Sequence, residues 1–315
     1  MKSWQYARGI TLAVLVAILL IACRSGVDSS QPDGGSDVVP PAEQTDDPSE
    51  EVTDVPESLF DPDDTRDGMV MVYVPEGEFE MGTTDDRMQE LIDQNLWDDG
   101  WNDAEQPAHM VYLDAYWFDK TEVTNGQYAL CVADGACEAP AMARSLTRES
   151  YYGDPEYEDY PVLYVDWHMA EAYCAWAGRR LPTEAEWEKA ARGTDGRFYP
   201  WGDEIDSTRA NYDGAGCREC DTTPVGSYPE GTSFYGALDM AGNVYEWVAD
   251  EWDKHYYRDS SSDNPLGPSF GLDKRPMRGG SWNGDANSVR SAARYGYRRG
   301  WADFPSAGIR CAASP

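Results

Sequence analysis

The feature that most constrains this 315-residue chain is an abrupt break in its composition. An apolar run from Ile10 to Ala22 ends at Cys23. From Arg24 to Gly68 there follow fourteen Asp/Glu and two Arg, with many Pro, Ser and Gly and almost no large apolar side chains. Such a stretch cannot bury enough surface to offset the entropy of ordering it. Folding is therefore expected from about residue 69 onward, and whatever chemistry the chain performs must be built there.

The first residues read as an export signal. Lys2 and Arg8 form a short basic region ahead of the apolar run, which falls short of the roughly 20 residues that span a bilayer and has the length of a signal-peptide core. Leu20-Ile21-Ala22-Cys23 resembles a bacterial lipobox, which implies a lipoprotein signal peptide over residues 1–22, cleavage before Cys23 and lipid on its thiol. The rival is an ordinary signal peptide followed by an incidental cysteine. Residues 23–68 are then a disordered acidic tether with an r.m.s. reach of about 35–40 Å on flexible-chain scaling. This places the protein in the cell envelope, on the outer membrane or periplasmic face, touching membrane only through its lipid.

The charge balance excludes one class of partner. The formal net charge is -33, and the part beyond residue 68 keeps a surplus of about 23 negative charges, which argues against nucleic-acid binding and suits a surface that meets cations. Six cysteines follow Cys23, an even number that in an exported chain reads as disulfides. Cys131 and Cys137, and Cys217 and Cys220, are close enough to close small loops, leaving Cys174 with Cys311. Half of a zinc site is the other reading of Cys217 and Cys220, but no second pair stands at finger spacing and no histidine lies nearby.

Local patterns give the elements. Met69–Pro75 and Gly77–Gly82 read as two short strands around a turn, and Tyr112–Asp119 as an aromatic-rich strand. Between them, residues 83–106 form an acidic insertion with a helical turn or two around Met88–Leu96. Thr124-Asn125-Gly126-Gln127 is a capping box with Val123 and Tyr128 as its staple, so a helix starts near Asn125. A second helix runs from Asp166 to Gly178 and buries Trp167, Ala170, Cys174 and Ala177. A third begins at the capping box Thr183–Glu186, stapled by Pro182 and Trp187. Its Glu184, Glu186 and Glu188 sit where negative charge favours a helix start, which makes them structural. Beyond Arg192 the chain is loop-rich and shows no internal repeat. Twelve Trp and twenty Tyr are compatible with a sugar-binding face, although such rings more commonly fill the core of a domain poor in regular structure.

Many ordered segments, spread from Met69 to Ala313, carry a family resemblance. They include Val74-Pro75-Glu76-Gly77-Glu78-Phe79-Glu80-Met81-Gly82, Glu122-Val123-Thr124-Asn125-Gly126-Gln127-Tyr128 and Gly178-Arg179-Arg180-Leu181-Pro182-Thr183-Glu184-Ala185-Glu186-Trp187. Asp239-Met240-Ala241-Gly242-Asn243-Val244-Tyr245-Glu246-Trp247, Arg278-Gly279-Gly280-Ser281-Trp282 and Gly308-Ile309-Arg310-Cys311 complete the set. Together they resemble the formylglycine-generating enzymes (sulfatase-modifying factors). The resemblance implies one α+β domain over residues 69–315, with the C-type-lectin-like fold of that family and little regular secondary structure.

It also implies a disulfide between Cys174 and Cys311, while a second family bridge, at the positions of Ala191 and Ser291, has lost both cysteines. Asp239 and Glu246 by their side chains, with the carbonyls of Gly242 and Val244, resemble a calcium-binding turn of oxygen ligands; a simple capped turn is the other reading. Asn211 and Tyr212 resemble the start of a second calcium site, but Cys217 to Asp221 stand where it would be completed. Family members use a cysteine pair to bind copper(I) and activate oxygen. Here no cysteine lies between Cys220 and Cys311, and no other side chain on the segment supplies a soft nucleophilic ligand, so copper is not expected.

Ser281, Trp282, Asn283 and Arg290 are left as the residues of a vestigial pocket. No motif supplies Ser281 with a base or a nucleophile elbow. His109, His168 and His255 are unpaired at helical spacing and give no iron cluster of the kind some sulfoxide-forming relatives use. His109 reads as structural, and His168 as lying on a surface helix. The expectation is a non-catalytic, calcium-stabilised, envelope-anchored module binding a protein, peptide or glycan; the alternative is an oxidoreductase acting on protein cysteine.

Overall fold

The computed structural model describes residues 61–213, 220–269 and 273–315. The signal peptide expected over 1–22, Cys23, most of the tether and Cys217 lie outside the described residues. Among those residues no helix is long and apolar enough to cross a membrane.

Short strands make three small sheets. β1 (Met71–Val74) pairs antiparallel with β4 (Tyr116–Asp119), which pairs in turn with β9 (Ala312–Ala313). β2 (Gly77–Met81) pairs antiparallel with β3 (His109–Leu113). The third sheet has the order β7-β6-β5-β8, from β5 (Tyr245–Trp247), β6 (Lys274–Arg278), β7 (Tyr295–Arg298) and β8 (Ala307–Gly308), with β5 and β8 parallel. The strand expected over Tyr112–Asp119 is two strands in different sheets. The chain turns at exposed Asp114, whose N–H is taken by the Asn264 side chain at 2.9 Å, so the pairing with β2 ends and that with β1 begins.

The helix signals work as capping chemistry requires. α1 (Asp85–Asp93), inside the acidic insertion, is capped by Thr84. α2 (Asn125–Ala133) and α4 (Glu184–Arg192) each start at a complete capping box, Thr124 with Gln127 and Thr183 with Glu186. α3 (Trp167–Trp176) is capped by Asp166 and buries Trp167, Ala170 and Cys174, with Ala177 just beyond its end.

α4 departs from expectation. Every residue from Glu184 to Arg192 is buried, so its acids do not sit in a solvated first turn. Glu184 is held by Arg278 and Arg294, and Glu188 by Arg278 and Arg192. Burial pushes the Glu188 carboxyl up, and the two guanidinium groups more than reverse this, leaving it below the ordinary range. The reading of these residues as structural stands, but through buried ion pairs in addition to helix-start electrostatics.

The folded part begins earlier than residue 69. Asp67 is buried, accepts hydrogen bonds from Arg179 and the Tyr173 hydroxyl, and shares Arg179 with Asp119 at 2.7 Å. A composition count cannot place this boundary, because Asp67 reads as one more tether acid until its partner is known.

Cys131 is bonded to Cys137, and Cys174 to Cys311. Cys220 is also disulfide-bonded. The Cys174–Cys311 bond ties α3 to the strand pair at the C-terminus across 137 residues of sequence. Closing so long a loop removes much unfolded-state entropy, so Cys174→Ala with Cys311→Ala should lower unfolding free energy by about 4–5 kcal/mol. Urea titration of the two proteins checks this; a loss under about 1 kcal/mol would contradict it.

Candidate functional site

The segment from Arg278 to Arg294 leaves the end of β6 and returns to the start of β7. Arg278 roots it. Its guanidinium, fully buried, bonds Glu188 at 2.6 Å, Glu184 at 3.2 Å and the Ser291 carbonyl at 2.8 Å, over the ring of Trp187. The next two residues turn sharply at φ 87° and 71°. At Gly280 a Cβ would lie 2.6 Å from Val289 and 2.8 Å from the Ser288 carbonyl, so only glycine fits.

The four expected pocket residues have different surroundings. The Ser281 hydroxyl is buried and donates to Asn283 Oδ1 at 2.7 Å, with no imidazole beside it. Trp282 is buried, its indole N–H lacking a partner among the described residues. Asn283 is exposed. Arg290 is wholly buried and gives both terminal nitrogens to Glu105, at 2.6 and 2.8 Å. Burial alone would raise the Glu105 carboxyl, and Arg290 brings it below its ordinary value. Arg290 is thus a strut between the acidic insertion and this segment, and it is not among the residues that line the groove described next. Its partner lies 185 residues earlier, and nothing in the sequence ties Glu105 to it.

A groove of about 320 Å³ does lie on the segment, further along it. Gly284, Asp285, Asn287 and Ser288 form one side, Tyr245 and Tyr295 the sheet side, and Asp98 with Trp101 from the insertion the far wall. Its lining contains oxygen, amide and aromatic groups and no thiol.

The expected calcium turn sits directly beneath. Gly242 N–H donates to the Gly279 carbonyl at 2.8 Å and Trp282 N–H to the Asn243 carbonyl at 2.9 Å, so turn and segment move as one unit. Asp239, Gly242 and Asn243 all have positive φ. Asp239 accepts from the Gly226 N–H, and burial lifts its carboxyl to about 6. Glu246 is committed elsewhere, both oxygens being filled by Arg310 at 2.7 and 2.8 Å and by the Trp187 indole at 2.6 Å. A third carboxylate, Glu122, is buried against both and accepts from Asn243 at 2.8 Å and the Val244 N–H at 3.2 Å.

No group of three or more His, Cys, Asp or Glu side chains among the described residues is arranged to hold a metal. A site of one carboxylate and two carbonyls does not require one, and the donor chemistry suits a hard cation. Burial, with Asp239 and Glu246 beside it, pushes the Glu122 carboxyl well up toward its neutral form, so Asp239 and Glu246 are the acids that face the single guanidinium of Arg310. Glu122 and Asn243 were not anticipated as part of this cluster. Gly242-Asn243, a pair that tolerates left-handed backbone, was the available signal.

At the second expected site, the Asn211 amide donates to the Asp221 carbonyl and to Asn243 Oδ1, tying two turns together. Tyr212 packs with the cluster around Phe198 and Tyr199. Ala191 and Ser291, the positions of the lost bridge, are both fully buried, and the Ser291 hydroxyl has no partner among the described residues. His109 contacts the Pro107 carbonyl and the Tyr257 ring, while His168 and His255 are exposed.

The sequence profile of the sulfatase-modifying factor enzyme 1-like domain matches residues 56–315. The chain belongs to the sulfatase-modifying factor family. It is 36% identical over 255 residues to the serine/threonine-protein kinase Pkn1 of Chlamydia trachomatis, covering 77% of this chain but only 38% of that protein. With the formylglycine-generating enzyme of Streptomyces coelicolor it shares 34% identity over 275 residues, 71% of this chain and 82% of the other. Among solved structures, PvdO from Pseudomonas aeruginosa superposes with a TM-score of 0.63 at 30% identity, covering 81% of this chain and all of PvdO. The family's α+β fold is therefore the fold of this member, and its start at residue 56 agrees with the burial of Asp67.

The Arg290–Glu105 strut gives a direct test of the site's architecture. Arg290→Ala leaves a buried carboxylate unpaired and should lower stability by about 3–5 kcal/mol, whereas Arg290→Met with Glu105→Leu should recover most of it. Chemical denaturation of the three proteins measures the difference; equal losses in the single and double variants would refute the pairing.

Proposed function

We propose that this family member is an envelope-anchored, non-catalytic binding module that presents a thiol-free groove to a protein, peptide or glycan of the envelope. The observation that carries the reading is the absence of cysteine between Cys220 and Cys311, together with the groove at Gly284–Ser288, whose lining offers no soft ligand for copper. Ser281 does not replace the thiol: its hydroxyl is spent on Asn283 and has no base. Anchoring through lipidated Cys23 and the acidic tether belongs to the same proposal, as does the exclusion of nucleic acid on grounds of charge. Calcium is proposed as a structural ion held by Asp239 and the carbonyls of Gly242 and Val244. Glu246 would reach it only by sharing its carboxylate with Arg310.

A second reading, oxidation of a protein cysteine, is favoured by the similarity to the formylglycine-generating enzyme of Streptomyces coelicolor. The two readings separate cleanly. Purified protein incubated with copper, oxygen and a Cys-x-Pro-x-Arg peptide should leave the peptide mass unchanged; conversion of its cysteine to formylglycine would establish the oxidase reading instead. For the ion, a thermal melt should rise on adding calcium to EGTA-treated protein, and Asp239→Asn should abolish the rise. A melt indifferent to calcium removes the ion from the proposal.

A further inference from the structure

The acidic insertion builds a wall whose features the fold does not need. Trp101 is 63% exposed, an unusual position for the largest apolar side chain. It is also held in place. Asp98 accepts from Gly100 N–H through its side chain and from the Trp101 and Asn102 N–H groups through its carbonyl. Buried Asn102 accepts from Asp98 N–H and the Asn287 amide while donating to Glu105. Lys254 props the arm from behind, on Asp103 at 2.7 Å and the Gly100 carbonyl at 3.1 Å. An exposed indole on a braced arm is preorganised for contact with something else.

The neighbours of that indole define what it would contact. Its ring meets Tyr295 at 5.9 Å, and Tyr295 meets Tyr245 at 5.9 Å, so aromatic groups line one side of the groove. The rim carries two carboxylates, Asp98 and Asp285. Each uses one oxygen to close its own turn, on Gly100 N–H and Ser288 N–H, and neither has a Lys or Arg partner among the described residues. Two other acids nearby are neutralised, Asp103 by Lys254 and Glu105 by Arg290, while Asp99 accepts from the Trp97 indole. Aromatic faces beside unpaired carboxylates attract cations by quadrupole and by charge together, whereas a neutral sugar would gain only hydrogen bonds from its hydroxyls to the carboxylates.

We propose that this groove binds a basic side chain, a lysine or arginine presented by a partner peptide or protein, with Trp101 and Tyr295 as its platform and Asp98 and Asp285 as its counter-charges. The proposal rests on the binding reading above and supplies its ligand chemistry. The selectivity is confined to the Trp101 end. The rings continue through Tyr297 and Phe304 to Trp301, which is 41% exposed, but there Lys274 and Arg298 line a cleft of about 530 Å³ with Asp273. A partner segment lying along this row of rings would therefore place its basic residue at the Trp101 end and neutral or acidic residues near Trp301.

The test is a fluorescence-polarisation titration of the full-length chain with a labelled Gly-Arg-Gly-Arg-Gly peptide, beside the same peptide with citrulline for arginine and beside chitohexaose. Arginine peptide should bind at least tenfold more tightly than citrulline peptide, and the preference should shrink with salt. Asp98→Asn with Asp285→Asn, which keeps both turn-closing acceptors, should remove the preference. Trp101→Ala should weaken binding with an unchanged melting temperature, since the side chain is largely exposed. Equal binding of the citrulline peptide, no binding of either, or Trp101-dependent binding of chitohexaose that survives the double Asn substitution would each overturn the proposal. The copper assay tests the non-catalytic reading separately, so the failure of one is distinguishable from the failure of the other.

Discussion

Arg278 and the carboxylates of α4 hold this structure in place. A guanidinium and two carboxylates withdrawn from water lose several kcal/mol of hydration each, and the loss is recovered only if all of them meet in good geometry. Arg278 therefore fixes α4 against β6, and Arg294 fixes α4 against the insertion by bonding Glu184 and the Ala104 carbonyl. Arg290 on Glu105 and Arg310 on Glu246 extend the same logic outward. With strands of two to five residues, backbone ladders alone cannot set the relative positions of three small sheets. Buried ion pairs, which tolerate no shift of an ångström or two, do so.

This explains how the site frame can exist without the atoms that give the family its chemistry. What shapes the segment from 278 to 294 is Arg278, the Gly279-Gly280 turn, and hydrogen bonds to the 239–243 turn and to Phe198. None of these passes through a thiol. The tip is itself constrained: a Cβ at Gly284 would lie 2.5 Å from Ser288 Oγ, and Asn287 is held by Arg290 and Asn102. The Ser291 hydroxyl, buried with no partner among the described residues, carries a desolvation penalty of about 1–3 kcal/mol that an apolar group would not.

Much of the fold was legible because its signals are local. Capping boxes at Thr124 and Thr183 placed two helices to the residue, since the chemistry that satisfies the first N–H groups acts within four positions. Cys131 could be paired with Cys137 by loop length, and Cys174 with Cys311 by elimination and family position. What escaped was non-local. Glu184 and Glu188 look like ordinary helix-start acids unless Arg278 and Arg294, some hundred residues later, are known to reach them. Asp67 looks like tether until Arg179 claims it. Arg290 looks like a pocket residue until Glu105 takes both its nitrogens. In each case the residue type was read correctly and its partner was invisible, because nothing in a single sequence ties two charges together across such distances.

The same asymmetry decides where new function would arise in such a domain. Residues of the ion-pair frame are coupled to one another, so a change in one strands a buried charge in another. The insertion is tied to the rest through Glu105, Asn102, the Ala104 carbonyl and buried Leu91, while α1 and the arm bearing Asp98 and Trp101 lie outside the sheets. It is also the stretch with the least pattern and some of the densest acid. A groove with one wall from this frame and one from this arm draws its chemistry from both, Asp285 and Tyr295 from the frame and Asp98 and Trp101 from the arm. On the binding reading proposed above, a frame side without thiols leaves recognition to these groups, with those on the insertion wall among them.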